Sequence, residues 1–324
     1  MTTVPTGTVV EKAVLLAGRA PSLHNSQPWQ WIFDGAALHL FAVPGRMLRA
    51  TDRSGRQMII SCGIALGHLS AAMAAAGLRP SIARSPDPNR RDHLATVRFH
   101  SARIVSGADR DRADAIVRRR TNRLPFAAPT DWDTFETVLR STFSPDDATL
   151  DVLSDDCRPA LARAAELSAA LRRYDSSYQA ELQWWTGHVV ASTGVPRHAL
   201  VTQQERGRVP IGRKLPAGDA AAPPEIGTDK STVLVLSTDT DSPGDLLRCG
   251  EVLSTVLLEC TLAGYATCPL THLTEIPRSR SIVRDLTGRN LLPQVLVRVG
   301  AAPEPATEPT PRLPLSDILR MGTP

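Results

Sequence analysis

Two apolar stripes with helical spacing resemble each other closely, and they constrain the fold more than any other feature of the sequence. The stripes are Ile59, Cys62, Leu66, Leu69, Met73 and Ala76, and Leu246, Cys249, Leu253, Val256, Cys260 and Ala263. Alternating spacings of three and four predict a helix with one buried face. Each stripe contains a Cys-Gly pair, Cys62-Gly63 or Cys249-Gly250. A second glycine, Gly77 or Gly264, follows fourteen residues after the glycine of the pair. The match predicts an internal repeat.

The remaining patterns predict an α+β chain made of two halves, residues 1–105 and 106–324. Further helices are predicted at 9–19, 112–120, 131–139, 159–188 and 276–286. Strands are predicted at 31–33, 38–42, 94–99, 149–153, 232–236 and 295–299. Residues 191–230 contain five Pro and five Gly with few apolar runs. Such a segment is either disordered or a functional flap.

Composition favours a soluble globular protein, since 42% of the 324 residues are hydrophobic and 22% are charged. The chain has no run of eighteen apolar residues and no secretory signal at its start, so we expect a cytoplasmic protein without a membrane span. Five cysteines without a C-x-x-C pair indicate neither a disulfide framework nor a zinc site. A net charge of +4 suits an anionic small molecule better than a nucleic acid.

A polar loop, Ala20–Trp29, connects the first predicted helix to the first strand. Pro21 and Pro28 each fix φ and remove a backbone donor, so this loop is excluded from helices and central strands. Its hydroxyl and amide groups suit a polar, planar ligand. The side chains concerned are Ser22, Asn25 and Gln27. On local chemistry a capped turn explains the loop equally well.

Three other stretches are candidates for ligand contact. The arginines of residues 118–123 have planar guanidinium groups that suit phosphate. A solvated helix end has the same composition. Gly264–His272 is predicted to be a loop of small residues that lets a ligand approach the backbone, or else an ordinary connection. Its Cys268 is the one cysteine expected to face a ligand. Arg312 lies in a Pro-rich arm, where it could reach a phosphate or be merely exposed.

Motifs for side-chain catalysis are missing from the sequence. There is no G-x-S-x-G, H-E-x-x-H, P-loop or G-x-G-x-x-G stretch. Ser22 and His24 are two residues apart in an extended loop, so their side chains point to opposite sides. The eight histidines have no metal-ligand spacing. We therefore expect no catalytic side chain and no metal site.

The loop Ala20–Trp29 matches A-P-S-x-x-N-x-Q-P-W, a motif of the nitroreductase superfamily of FMN-binding flavoproteins. The chain resembles the Acg-type group of that superfamily, from mycobacteria and relatives, over nearly its whole length. Arg119–Phe126 (R-R-T-x-R-L-P-F) and Leu246–Glu251 (L-L-R-C-G-E) are further matches. The resemblance implies a nitroreductase-like fold with two halves fused as an intramolecular pseudo-dimer, one FMN per chain, and a lid, for which residues 191–230 are the candidate.

The resemblance also implies which residues contact the FMN. Its phosphate would be held by Arg119, Arg120, Thr121, Arg123 and Arg312. Its ribityl chain or ring would be contacted by Ser22, Asn25 and Gln27. The region around N5 of the ring would face the backbone of Cys268, Pro269, Leu270 and Thr271.

The implied activity is NAD(P)H-dependent reduction of a nitro compound or quinone by hydride transfer through FMN. The superfamily usually has an acidic residue and a glycine beside N5, where this chain has Leu270-Thr271-His272. The alternative is therefore a protein that stores or sequesters FMN under the lid with little or no turnover. A third, weaker hypothesis is a basic module that binds nucleic acid through residues 118–123. The chain is expected to be a monomer, as a pseudo-dimer, or a homodimer.

Overall fold

The computed structural model describes residues 3–187, 192–222, 226–302 and 308–323. Within these residues the helices are α1 (Gly7–Ala17), α2 (Arg56–Ala75), α3 (Gly107–Arg118), α4 (Trp132–Arg140), α5 (Arg158–Arg172), α6 (Ser176–Gly187), α7 (Gln203–Arg208), α8 (Pro243–Leu262), α9 (Pro277–Thr287) and α10 (Leu315–Ile318). The strands are β1 (Trp29–Phe33), β2 (Leu38–Ala42), β3 (Leu78–Arg84), β4 (His93–Ser101), β5 (Thr149–Leu153), β6 (Thr232–Thr238), β7 (Ala266–Leu270), β8 (Leu292–Gly300) and β9 (Leu319–Met321). The predicted α+β class is confirmed.

The chain forms two compact units. Unit 1 consists of Met1–Arg119, Ser242–Leu262 and Pro311–Pro324, and unit 2 consists of Arg120–Asp241 and Ala263–Thr310. Helix α8 and the C-terminal strand β9 therefore belong to the same unit as the N-terminal third of the chain. The predicted halves, residues 1–105 and 106–324, describe a sequence repeat and not the compact units. That division stays a prediction.

Each unit contains one sheet, and the two sheets have the same core topology. The strand order is β3-β4-β2-β1-β9 in unit 1 and β7-β8-β6-β5 in unit 2. All neighbours are antiparallel except β1 and β9, which are parallel. The central pairs β2–β4 and β6–β8 each have a register shift, at Leu40/Phe41 and Leu236/Ser237. The repeated order and irregularity support the predicted duplication.

Helices α2 and α8 pack against each other through glycines. A Cβ atom added to Gly63 would lie 2.2 Å from the Leu247 carbonyl oxygen, so only glycine allows this approach. Both helices are followed by a glycine in the left-handed region, Gly77 (φ 79°) and Gly264 (φ 80°), as the sequence predicts. Helix α2 is long and apolar enough to cross a membrane, but 67% of its most apolar window is buried inside the protein, as in a core helix.

Two predicted elements differ from the structure. The single helix predicted at 159–188 is interrupted after Arg172, and α6 begins at Ser176. The reason is Asp175, whose Oδ1 accepts a hydrogen bond from the Tyr178 backbone nitrogen at 3.0 Å and so starts a new helix. The loop predicted at Gly264–His272 contains strand β7. Pro269 is tolerated there because β7 lies at the edge of its sheet.

The described part of residues 191–230 is folded against unit 2. Val209 and Ile211 lie in the apolar core of this unit with Phe126 and Leu270. Gly218 packs so tightly on the turn Arg197–Ala199 and Leu200 that an added Cβ atom would lie 2.3 Å from the Arg197 carbonyl oxygen. For these residues the disordered alternative is therefore wrong. Whether the segment acts as a lid stays a prediction.

Candidate functional site

Arginine side chains from distant parts of the sequence converge in unit 1. Arg119 and Arg312 each donate a hydrogen bond from Nη2 to the same acceptor, the Arg19 carbonyl oxygen, at 3.4 and 3.2 Å. Like charges repel at this range, so the arrangement is expected where an anion is bound. Planar guanidinium groups match phosphate geometry well. The structure thus brings together two of the predicted phosphate ligands at the backbone of Arg19, a residue for which no role was predicted.

The same arginines act on His68, a fully buried residue of α2. Burial and the charges of Arg119, Arg312 and Arg19, in that order, hold the pKa of His68 well below its usual value. The ring is therefore neutral, with Nδ1 2.7 Å from the Ser254 hydroxyl oxygen. Of these four residues, only the three arginines therefore carry a positive charge.

The loop Ala20–Trp29 has an unusual backbone. His24 (φ 47°), Asn25 (φ 59°) and Gln27 (φ 48°) are left-handed, and among the described residues only two other non-glycine residues have a positive φ. The Ser22 hydroxyl oxygen accepts a hydrogen bond from the Gln27 backbone nitrogen at 2.9 Å, which helps to fix this conformation. Conformations of this kind cost energy and concentrate at ligand sites.

Amide side chains of the loop hold the C-terminal arm on both sides of Arg312. Asn25 donates from Nδ2 to the Pro311 carbonyl oxygen at 3.1 Å. The Leu313 backbone nitrogen donates to Gln27 Oε1 at 2.8 Å. Because these bonds fix the backbone directly before and after Arg312, Asn25 and Gln27 position that arginine. The sequence predicts ligand contacts for both residues, whereas their hydrogen bonds to the backbone around Arg312 are visible only in the structure.

In unit 2, the predicted phosphate stretch runs beside strand β7. The Asn122 backbone nitrogen donates to the Thr267 carbonyl oxygen at 2.9 Å, and Thr121 pairs with Thr267 in a parallel bridge. This pairing places Thr121 near Cys268. Arg123 donates from Nη1 to the Ala199 carbonyl oxygen at 3.1 Å, and its pKa is lowered mainly by burial. Arg120 is half-buried at the start of the unit.

A buried ion pair fixes the end of this stretch. Arg298 Nη2 lies 2.6 Å from Asp229 Oδ1, and both side chains are 1% exposed. Asp229 also accepts from the Phe126 backbone nitrogen at 2.9 Å, and Arg298 donates to the Leu124 carbonyl oxygen at 2.7 Å. Burial raises the pKa of Asp229, but the Arg298 guanidinium together with the hydrogen bonds from Ser231 and Phe126 outweighs it, so the pKa lies below its ordinary value. The Leu-Pro-Phe part of the motif is therefore a structural anchor.

A second polar network lies at the C-terminal end of β7. Arg213 Nη2 donates to the Thr271 hydroxyl oxygen at 3.1 Å and forms an ion pair with Glu275, which also pairs with Arg172 at 3.4 Å. Burial lowers the pKa of Arg213, but Glu275 and Tyr178 together outweigh it, so the pKa lies above its ordinary value. Burial, and next the charge of Arg213, lower the pKa of His272 to about 3. His272 is therefore neutral near pH 7.

The Cys268 side chain does not face solvent. It is 4% exposed and packs in the apolar core of unit 2 with Phe126, Val235 and Leu270. The expectation that this thiol faces a ligand is not supported by its position. The predicted contact through the backbone of Cys268–Thr271 is a separate statement, and it stays a prediction.

No protein-family model matches the chain. It is 50% identical over 322 residues, 98% of this chain and 97% of the relative, to a protein of Mycobacterium tuberculosis strain H37Rv named "Putative NAD(P)H nitroreductase acg". The chain belongs to the Acg family. Another relative within the same strain, "Uncharacterized protein Rv3127", is 51% identical over 320 residues, 97% of this chain and 93% of its own length. The resemblance to the Acg-type group is thereby confirmed.

Solved structures similar to this Acg family member include an FMN- and NADPH-dependent nitroreductase, NfnB of Sphigopyxis sp. strain HMH. It is 18% identical, with a TM-score of 0.42, and the match covers 64% of this chain and 97% of that chain. NfnB from Mycobacterium smegmatis, solved in complex with NADPH, is 17% identical with a TM-score of 0.40, over 66% and 99% of the two chains.

Within this Acg family member, the predicted contact residues fall into two groups. Unit 1 contains Ser22, Asn25, Gln27, Arg119 and Arg312. Unit 2 contains Arg120, Thr121, Arg123, Cys268, Pro269, Leu270 and Thr271. That the two groups contact one FMN stays a prediction. No group of three or more His, Cys, Asp or Glu suited to a metal occurs among the described residues.

Proposed function

We propose that the chain binds one FMN and reduces a small acceptor, a nitro compound or a quinone, with electrons from NAD(P)H. The observation that carries this proposal is the convergence of Arg119 and Arg312 on the Arg19 carbonyl oxygen. Such a cluster suits the phosphate of FMN. Membership of the Acg family supports the electron donor and the reaction type, because two relatives carry the name "Putative NAD(P)H nitroreductase".

The residues of unit 1 fit the phosphate by the chemistry of their donors. Arg119 and Arg312 would bind it, Asn25 and Gln27 would hold Arg312 in place, and neutral His68 would leave the net charge to the arginines. Arg120, Thr121, Arg123 and the backbone of Cys268–Thr271 are the proposed contacts in unit 2. Bound FMN would supply the hydride-transfer chemistry between the nicotinamide and the acceptor. The chain's own part is binding, orientation and exclusion of water.

The test of cofactor binding uses the purified full-length chain. We expect a yellow protein, or a colourless one that takes up FMN, and a flavin absorbance that survives dialysis. Anaerobic mixing with NADPH and with NADH should then bleach the flavin. A protein that cannot be reconstituted with FMN would overturn the proposal.

A specific observation favours FMN storage as a second candidate function. Within residues 191–230, Val209 and Ile211 lie in the apolar core of unit 2, and Gly218 packs tightly against Arg197 and Leu200. A lid anchored in this way would open slowly and keep the nicotinamide from the flavin. Bleaching by dithionite but not by NADPH or NADH would favour storage over turnover.

Opening the proposed lid distinguishes a blocked enzyme from a storage protein. Deleting the segment is unsuitable because Val209 and Ile211 are core residues. Gly218→Ala is the better variant, since its Cβ atom would collide with the Arg197 carbonyl oxygen and loosen the packing of Gly218 in this segment. Gly227→Ala is its control in the same segment, with no atom within 4 Å of the added Cβ. Faster bleaching by NADPH in Gly218→Ala alone would show that the lid limits turnover.

Burial argues against nucleic-acid binding through residues 118–123. Arg119 is 4% exposed and Asn122 is 6% exposed, so neither lies on an open basic surface. We further propose that the protein acts in the cytoplasm, as its composition suggests, and as a pseudo-dimer whose halves correspond to the two similar sheets.

A further inference from the structure

Unit 2 contains a cavity of about 500 Å³ that none of the predicted FMN contacts line. Its size is within the usual range for small-molecule sites. Helices α5 and α6 form much of its wall, together with residues near the C-terminal end of β7 and from the segment 191–230. The charged lining residues are Arg172, Arg173, Arg213, Lys214, Glu166 and Glu275. Cations thus outnumber carboxylates by four to two.

The inner part of the cavity contains a buried ion-pair network. Glu275, with a side chain 1% exposed, pairs with both Arg213 and Arg172. The Arg172 guanidinium also lies over the Tyr178 ring, 4.4 Å from its centre. Two guanidinium groups therefore share one carboxylate.

The outer part of the cavity adds two more cations. Arg173 and Lys214 are exposed, and across residues 3–187, 192–222, 226–302 and 308–323 no carboxylate forms an ion pair with either. Glu166 is the one acidic residue of the lining that neither Arg172 nor Arg213 pairs with. The outer part therefore attracts anions.

An unsatisfied hydroxyl group gives an independent indication of a ligand. Ser168 lines the cavity and is 4% exposed, and its Oγ atom has no hydrogen-bond partner within the described residues. A buried hydroxyl without a partner is costly, and an acceptor on a ligand would satisfy it. Ala165, Ala169 and Leu182 make the neighbouring wall apolar.

We propose that this cavity binds a small organic anion with an apolar body. Its carboxylate or phosphate group pairs with Lys214 and Arg173, and a polar atom accepts a hydrogen bond from Ser168. The site is separate from the proposed FMN contacts, although Arg213 connects the two by its hydrogen bond to Thr271.

Isothermal titration of the full-length chain tests the proposal, with benzoate, phenyl phosphate and the neutral benzyl alcohol as probes. We expect one or both anions to bind, and the alcohol to bind far more weakly. Benzoate alone would identify a carboxylate site, and phenyl phosphate alone a phosphate site. Lys214→Ala should weaken binding about tenfold, as for loss of one charge-assisted contact. Ser168→Ala should weaken it several-fold, whereas Arg163→Ala, an exposed position of α5 outside the cavity, should leave it unchanged.

Three results would overturn the proposal: neither anion binds at millimolar concentration, benzyl alcohol binds as tightly as the anions, or Lys214→Ala and Ser168→Ala both bind like the unmodified chain. Thermal unfolding of each variant shows that the fold is retained. The flavin spectrum of the same samples separates the two proposals. Anion binding without FMN retention contradicts only the flavin function, and FMN retention without anion binding contradicts only this cavity.

Discussion

Gly63 and Gly250 lie against each other at equivalent positions of α2 and α8. A Cβ atom on Gly63 would be 2.8 Å from the Gly250 Cα atom, and one on Gly250 would be 2.7 Å from the Gly63 Cα atom. The nearest atoms are also equivalent, because they are the carbonyl oxygens of Leu247 and Ile60, each three residues before a glycine. The two Cys-Gly pairs of the sequence thus meet in a symmetric contact.

Gly63→Ala should destabilise unit 1 strongly. The added methyl group would lie 2.2 Å from a backbone oxygen that cannot rotate away. Overpacking of this kind costs about 1–3 kcal/mol in the free energy of unfolding, and Gly250→Ala should cost a similar amount. Urea unfolding measures both. Gly45→Ala is the control, since its Cβ atom would meet nothing within 4 Å. Equal stability of the Gly63 and Gly45 variants would contradict the close approach.

Arg312→Ala should weaken FMN binding while leaving the fold intact. Loss of one charge-assisted bond to phosphate costs about 1.5–3 kcal/mol, or roughly ten- to hundred-fold in Kd. Equilibrium dialysis with FMN measures the change, and added salt should narrow the difference. Arg320→Ala, at an exposed position of β9, removes the same charge from the same arm. Identical Kd values for the two variants would remove Arg312 from the phosphate site.

Arg298→Met should destabilise unit 2 by about 3–5 kcal/mol, because it leaves the Asp229 carboxylate buried without its cation. Chemical unfolding followed by circular dichroism measures this loss. Arg289→Met breaks a comparable pair with Asp151, but the Arg289 side chain is 54% exposed. We expect that control to lose no more than about 1 kcal/mol. A similar loss in both variants would mean that burial of the Asp229 pair has little effect.

Stability should fall as the pH is lowered, partly through His272. Its pKa is about 3 in the folded chain against an ordinary value of 6.5, so the unfolded state takes up a proton first. The resulting loss occurs between about pH 6.5 and pH 3, at up to about 1.4 kcal/mol per pH unit. His272→Gln should reduce this slope, measured by urea unfolding at several pH values. His68 acts in the same direction and remains in the variant.

Local patterns in the sequence were sufficient for most elements. The stripes that include Leu66 and Leu253 predict α2 and α8 because a buried helix face repeats every three to four residues. Strand β3 was not predicted, since Pro80 disfavours a strand within a sheet and only the edge position permits it. The break before α6 does have a local cause, because Asp175 is a helix-capping residue type.

Contacts between distant residues could not be predicted in the same way. Arg213 and Glu275 are 62 positions apart, and Arg312 is 293 positions from Arg19. No periodicity connects such pairs, so the sequence left open whether Arg312 reaches a phosphate or is merely exposed, and only the resemblance favoured the phosphate role. The hydrogen bonds by which Asn25 and Gln27 fix the backbone around Arg312 could not be predicted for the same reason. Amide groups in a loop suit a ligand and a backbone segment equally well.

The assembly of unit 1 from separate segments has a consequence for the order of synthesis. Residues 1–119 leave the ribosome before α8, and all of residues 120–241 must be made in between. At about 5–20 residues per second, that interval lasts roughly 6–24 s. During it, the face of α2 that α8 later covers has no partner from its own unit. The N-terminal unit is therefore completed only after residues 311–324 have been made.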